Sequence, residues 1–239
     1  MGKATYYEGT DGVHRLRYRE WKHDTKKIEL NKIIARYVKY LHKDPANMWA
    51  LIMDGASALT SQALAAIGFR WFDIIVPETD VKVYRELLRS SFSMPINTSF
   101  DNYVHRTSNF CDPNVVFIDS MRCIEGSKGA GEFPLHTIID VLNSNPNDEL
   151  VLAITVPKRG SPLRGFESIE KKDLAYIKNA VTYCKYRIAN IYHESYQRDY
   201  KHAAKMHFIC MRLVKDDLIR RDMVKFDRNA DGSLIGYDD

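Results

Sequence analysis

The sequence predicts an α/β fold: a mostly parallel sheet with helices on both faces and an antiparallel strand pair at its C-terminal end. Three observations carry this expectation. Short apolar runs such as "WALIMD" (49 to 54), "FDIIVPE" (72 to 78) and "NVVFIDS" (114 to 120) have no polar face, as strands buried on both sides do not. Segments with apolar residues at helical spacing separate them, so successive strands are joined by crossover helices. Late in the chain, "KMHFICMRLVK" (205 to 215) and "RRDMVKFDRN" (220 to 229) lie too close together for a crossover, which leaves antiparallel pairing.

Taken in order, residues 13 to 23, "VHRLRYREWKH", are basic and aromatic and lead into a helix in which Ile28, Ile33, Ile34, Tyr37, Val38 and Leu41 recur at helical spacing. Asp44-Pro45 stops it, because the residue before proline avoids the helical region. The strand at 49 to 54 is followed by a short helix, "ALTSQALAAIGF", ended by Gly68, and the strand at 72 to 78 by the helix "DVKVYRELLRSSF". "SMPINTSF" holds a short third strand. After the strand at 114 to 120 come a glycine-rich loop, "EGSKGAGEF", and the helix "PLHTIIDVLNS", with Pro134 suited to its first turn. "NPND" turns the chain into the strand "ELVLAITVPKRG". A long amphipathic helix is expected from 168 to 198, with Leu174, Ile177, Val181, Cys184, Ile188 and Ile191 along one face.

A chain of 239 residues with 45% apolar content can bury a sizeable core. The division expected is a basic helical extension over 1–45, an α/β domain over 46–226 and an acidic tail over 227–239. No apolar run approaches the roughly 20 residues of a membrane helix, and the first residues lack the apolar stretch of a secretory signal, so the expectation is an intracellular protein, cytoplasmic or nuclear. Cys111, Cys123, Cys184 and Cys210 show no Cys-x-x-Cys spacing, which argues against a metal site and a disulfide framework and for buried thiols.

Charge is uneven along the chain. Residues 1 to 45 hold 11 Lys and Arg against 6 Asp and Glu, and residues 158 to 225 hold 16 against 8. Residues 46 to 157 hold 7 against 13. Two basic segments thus flank an acidic centre, and they serve either as solvated helix faces or as a surface for a polyanion. Tyr18 and Trp21 among the N-terminal cations, and Lys185, Arg187, Arg198, Lys201 and Lys205 further on, would offer stacking surfaces and phosphate contacts.

In open α/β sheets ligands collect outside the carboxyl ends of the strands. Those ends carry Asp54, Gly55, Ala56 and Ser57; then Pro77, Glu78 and Asp80; then Asp101 and Asn102; then Asp119, Ser120 and Arg122; and last Pro157, Lys158 and Arg159. Asp54 and Glu78 each suit a helix N-terminus as well as a ligand. Asp119 closes the apolar run Val-Val-Phe-Ile, where a carboxylate must find partners or a ligand.

The element order and four positions, "DGASALT" after the first strand, Glu78, Asp101 and Asp119, resemble the Rossmann-like class I S-adenosylmethionine-dependent methyltransferases over residues 46 to 226. The resemblance implies S-adenosylmethionine as cofactor. It assigns the methionine part to Gly55 with Asp54 and Ser57, the ribose hydroxyls to Glu78, and the adenine amino group to Asp101. The family's loop has Gly-x-Gly, whereas only Gly55 remains here. "DSMRC" does not match the motif of amino-methylating enzymes. Cys123 lies near the strand end where cytosine-C5 enzymes hold their thiolate, but without the preceding proline. Ribose 2′-hydroxyl methyltransferases combine a lysine, the fourth-strand aspartate, a fifth-strand lysine and a glutamate. Asp119 and Lys158 fall where the middle two would, giving them the catalytic roles; Lys22, Lys26 and Lys27 compete for the first position, and no glutamate suggests itself, since "FICMRLV" is followed by Lys215-Asp216-Asp217. The expected activity is methyl transfer to RNA or DNA without a metal. The alternatives are a non-catalytic module of the same fold that binds nucleic acid or protein, and a nucleoside-handling enzyme of other chemistry.

Overall fold

The computed structural model describes residues 6–8, 14–16, 25–106, 112–120, 134–158, 168–197, 205–219, 226–228 and 234–236. The short strands β1 (Tyr6–Glu8) and β2 (His14–Leu16) pair antiparallel with each other. Helix α1 (Thr25–Lys39) then leads to β3 (Ala50–Ile52), α2 (Leu59–Ala65), β4 (Ile74–Pro77), α3 (Val81–Ser90), β5 (Met94–Ile96) and α4 (Phe100–Arg106). The second half runs β6 (Val115–Asp119), α5 (Pro134–Ser144), β7 (Glu149–Pro157), α6 (Ile169–Tyr183), β8 (Tyr186–Gln197) and β9 (Lys205–Lys215). β10 (Phe226–Arg228) and β11 (Leu234–Gly236) form a separate two-stranded pair.

Seven strands make the central sheet in the order β5-β4-β3-β6-β7-β9-β8. The first five are parallel, and β9 runs antiparallel to both β7 and β8. This is the expected class of fold, with the third strand formed by "MPI" of the segment expected to hold it. Alternate side chains of each strand feed two cores, because successive residues of a strand point to opposite faces. Ala50, Ile52, Val115, Phe117, Val151, Ala153, Phe208 and Cys210 pack with α1, α2 and α3. Leu51, Val116, Ile118, Leu152, Ile154, Ile209 and Met211 pack with α4, α5 and α6. Cys184 and Cys210 are buried free thiols, and burial pushes the Cys210 thiol up.

Two expectations are corrected. The helix expected over 168–198 ends at Tyr183: Lys185 takes a left-handed conformation with φ 61°, and the chain turns back as β8. Ile188 and Ile191 mimicked helical spacing because a bulge lies between Ile188 and Asn190. The extra residue puts Ile188 opposite Leu213 and Ile191 opposite Met211, so two residues three apart share one face of a strand. The second correction follows from the first. β9 has β7 on one side and β8 on the other, so no edge is left for the segment at 220–229; its described part, β10, pairs with β11 instead.

α1 is built into the core through Leu30, Ile34, Tyr37 and Val38. Its N-terminal end reaches the far strands, where Lys26 Nζ meets Glu194 of β8 at 2.8 Å. On the opposite face the fully buried His207 of β9 faces Asp173 of α6, with Nδ1 3.2 Å from the carboxylate, which anchors the first half of α6 to the sheet.

Candidate functional site at the carboxyl ends of the strands

The loop after β3 is closed by its own first residue. Asp54 is buried, and its Oδ1 accepts from the Gly55 N–H at 3.0 Å while its Oδ2 accepts from the N–H and the hydroxyl of Ser61, each at 2.8 Å. Asp54 therefore satisfies an orphan N–H in the first turn of α2, a task the helix-capping reading had foreseen. A turn from Gly55 to Ala58, with the Ala58 N–H donating to the Gly55 carbonyl at 2.8 Å, carries the chain into the helix. Ala58 rather than a glycine takes the left-handed position, at φ 50°, with its methyl group wholly buried. Gly55 and Ser57 are half-buried at the mouth of this turn.

Glu78 stands one residue beyond β4, half-buried, with Oε1 accepting from the Asp80 N–H at 2.7 Å. Burial pushes its carboxyl above the usual range, against the opposing effect of the Asp80 and Thr79 N–H groups. Asp80 itself caps α3, accepting from the N–H groups of Lys82 and Val83. Asp101 lies in the first turn of α4, where Thr137 of α5 donates its hydroxyl to Asp101 Oδ1. Asp140, one turn along α5, has its carboxyl raised by burial against the influence of His105 and His136.

Asp119 ends β6 and Lys158 follows β7 on the neighbouring parallel strand; the register pairs Asp119 with Thr155. Asp119 Oδ2 meets Lys27 Nζ of α1 at 3.2 Å, with both side chains more than four-fifths buried. Lys158 Nζ is paired with Glu170 Oε1 in the first turn of α6, and Ser195 of β8 donates its hydroxyl to the same oxygen at 2.9 Å. The Lys158 ammonium holds the Glu170 carboxyl down to about 2. Two lysine-carboxylate pairs thus stand at adjacent strand ends, one reached from each face of the sheet.

Of the three lysines that competed for the first position, Lys27 is the one placed against Asp119, while Lys26 pairs with Glu194; Lys22 lies outside the described residues. Glu170 escaped the sequence reading. The signal for it was "SIE" at 168–170: Ser168 caps α6, its hydroxyl accepting from the Lys171 N–H, so an acid two residues on sits in the first helical turn beside the β7 exit. Cys123, Arg122 and Arg159 lie outside the described residues. Among the described residues no group of three or more His, Cys, Asp and Glu could hold a metal ion, and no helix is long and apolar enough to cross a membrane.

No family model matches the chain, and no curated protein matches it in sequence. Solved structures do match in fold. A provisionally named RNA methyltransferase of Pyrococcus horikoshii superposes with a TM-score of 0.53 at 9% identity, over 79% of this chain and 84% of that one. TYW2 of M. jannaschii, solved in complex with AdoMet, gives 0.50 at 12% identity over 90% and 89%. A provisionally named hemolysin of Streptococcus thermophilus gives 0.53 at 11% identity over 85% and 71%. With the strand order and the antiparallel β8–β9 end, these likenesses show that the chain has the Rossmann-like fold of the class I methyltransferases.

Proposed function

We propose that the protein is an S-adenosylmethionine-dependent methyltransferase acting on nucleic acid, with a ribose hydroxyl as the acceptor. The observation that carries this reading is the set Lys27, Asp119, Lys158 and Glu170: two ion pairs at the carboxyl ends of neighbouring parallel strands. In chain order Lys27, Asp119 and Lys158 match the lysine, aspartate and lysine of ribose 2′-hydroxyl methyltransferases, while Glu170 would supply the glutamate from the start of α6 and not from beyond the late strand where that pattern was sought.

Support for the cofactor comes from Glu78. A half-buried carboxylate whose ionised form is disfavoured by burial gains most from two hydroxyl donors, which a ribose supplies. In this reading Glu78 holds the ribose, Gly55 and Ser57 lie against the methionine part, and Asp54 keeps their loop in shape through Ser61. Asp101, in the first turn of α4, would accept from the adenine amino group in the same reading. Bound there, the cofactor would supply a methyl group on a sulfonium, electrophilic enough for an oxygen to attack directly. The chain's own task is then to align the hydroxyl and take its proton. Lys158 Nζ, after giving its own proton to solvent, would accept the proton of the hydroxyl as the oxygen takes the methyl group, and the Glu170 carboxylate would hold the ammonium that results. Lys27 fixes the Asp119 carboxylate at the other end of the set.

The decisive experiment has two stages. Calorimetric titration with S-adenosylmethionine and S-adenosylhomocysteine is expected to give micromolar binding that Glu78→Ala abolishes. Transfer of a labelled methyl group is then expected into RNA and not into DNA of the same sequence, which lacks the 2′-hydroxyl, with Lys158→Ala slowing it at least 100-fold as loss of a general base does. Absence of cofactor binding in a folded protein would sink the reading.

One observation favours the non-catalytic alternative: both Asp54 oxygens are engaged inside the loop, and Ala58 fills the left-handed position where glycine is ordinarily found. A chain that binds RNA but neither cofactor compound would establish that alternative.

A further inference from the structure

The edge of the sheet farthest from Lys158 carries a surface the proposed reaction does not use. α3 buries Leu87 and turns Arg85, Leu88 and Arg89 to solvent; at helical spacing these three share one arc, with Glu86 at its margin. Phe92 lies two residues before β5, and β5 packs against both α3 and the short 3₁₀ turn Trp71–Asp73 that precedes β4, which gathers Phe92, Trp71 and Phe72 at this edge. Trp71 is 54% exposed, Leu88 51%, and Phe72 and Phe92 39% each, although large apolar side chains are normally hidden. The Trp71 and Phe72 rings meet edge to face with centroids 5.6 Å apart, and the Arg70 guanidinium lies 4.6 Å from the Phe72 centroid, so the rings are held in place while still exposed.

We propose that this surface binds single-stranded nucleic acid, with bases stacking on Trp71, Phe72 and Phe92 and phosphates meeting Arg85 and Arg89. The inference rests on the nucleic-acid part of the function proposed above and gives the acceptor strand a second hold, away from the reacting end. Exposed rings and guanidinium groups at one edge of the sheet, with Arg70 lying over Phe72, match the two features every such strand offers, a π face and an anionic backbone. Other occupants fit less well. β5, the strand at this edge, is three residues long with Pro95 at its centre, so it offers little to an added peptide strand.

The test is fluorescence anisotropy with a short labelled oligouridine, without S-adenosylmethionine, so that a chain that binds no cofactor can still pass and a chain that methylates can still fail. Trp71→Ala combined with Phe92→Ala is expected to weaken binding at least about 30-fold, in line with about 1–3 kcal/mol for each of two stacked bases. Arg85→Glu combined with Arg89→Glu is expected to reduce the slope of log affinity against log salt by about 1.4, from about 0.7 per phosphate on a single strand. All of these side chains are exposed, and circular dichroism melts will show that the variants fold. Unchanged affinity and slope in both would overturn the proposal. So would sedimentation showing that the wild type self-associates and the aromatic variant does not, which would make a second copy the occupant.

Discussion

Glu78 shows most directly how a single side chain can be kept at the expense of stability. Its folded-state carboxyl is raised above the model-peptide value of 4.5, so its contribution is fully present below pH 4.5 and is lost as pH rises through the folded value. At neutral pH the ionised, half-buried group therefore weakens the cofactor-free fold. Glu78→Gln keeps the acceptor for the Asp80 N–H and removes the charge, so it is expected to raise the melting temperature by roughly 1–3 °C at pH 7, with the gain vanishing toward pH 4. A thermal melt at the two pH values checks this; equal gains at both would mean the charge is not the cause. Glu170 has the opposite sign. Its carboxyl is lowered to about 2, so its contribution is present above pH 4.5 and lost as pH falls from 4.5 toward 2. The difference in denaturation midpoint between wild type and Glu170→Gln should therefore shrink across that window, and a constant difference would show that the Lys158 pair adds nothing. Glu78 stands one residue beyond β4 and Glu170 in the first turn of α6, and only Glu78 was legible in the sequence, because it ends an apolar run while Glu170 begins a helix.

Among the elements, the junction of α6 and β8 is the most informative. Two residues, Cys184 and Lys185, reverse the chain, and Lys185 does so at φ 61°, a conformation that costs a residue with a Cβ roughly 1–2 kcal/mol. Lys185→Gly removes that strain and adds freedom to the unfolded chain, so a net gain of about 0.5 kcal/mol is expected, whereas Lys185→Val should lose about 1 kcal/mol or more. Urea denaturation of the pair measures both, and a stabilising valine would contradict the backbone assignment. The same junction explains why the sequence suggested one long helix. Ile188 and Ile191 extend the apolar stripe of α6 by coincidence of a bulge, and that bulge is visible only once β9 stands opposite. α1 teaches the converse. Its helical spacing was plain from the sequence, but the direction of Lys27, toward Asp119 rather than toward solvent, follows from the packing of α1 against α2, β7 and β9.

At the scale of the whole molecule, the sheet order explains how Lys27 and Asp119, more than ninety positions apart, come into contact. β6 and β7 lie side by side at the centre, α1 arrives on one face and α6 on the other, so the Lys27–Asp119 and Lys158–Glu170 pairs stand at adjacent strand ends. The proposed acceptor surface on α3 and Trp71 lies at the opposite edge, so a strand occupying both must span the width of β3 and β4. Periodicity and composition by themselves determined the α/β class, the parallel strands, the presence of an antiparallel end though not its second strand, and the rim residues Asp54, Glu78, Asp119 and Lys158, because burial on both faces writes near-continuous apolar runs and polar residues gather where those runs stop. Only the tertiary structure decided which carboxylate meets which lysine, that Asp54 closes its own loop, and that β8 rather than the segment after β9 completes the sheet. The physical reason is that these are contacts between elements distant in sequence. Local patterning sets which residues can be buried or exposed, but a pairing between two such residues exists only after the strands have been ordered and registered against one another.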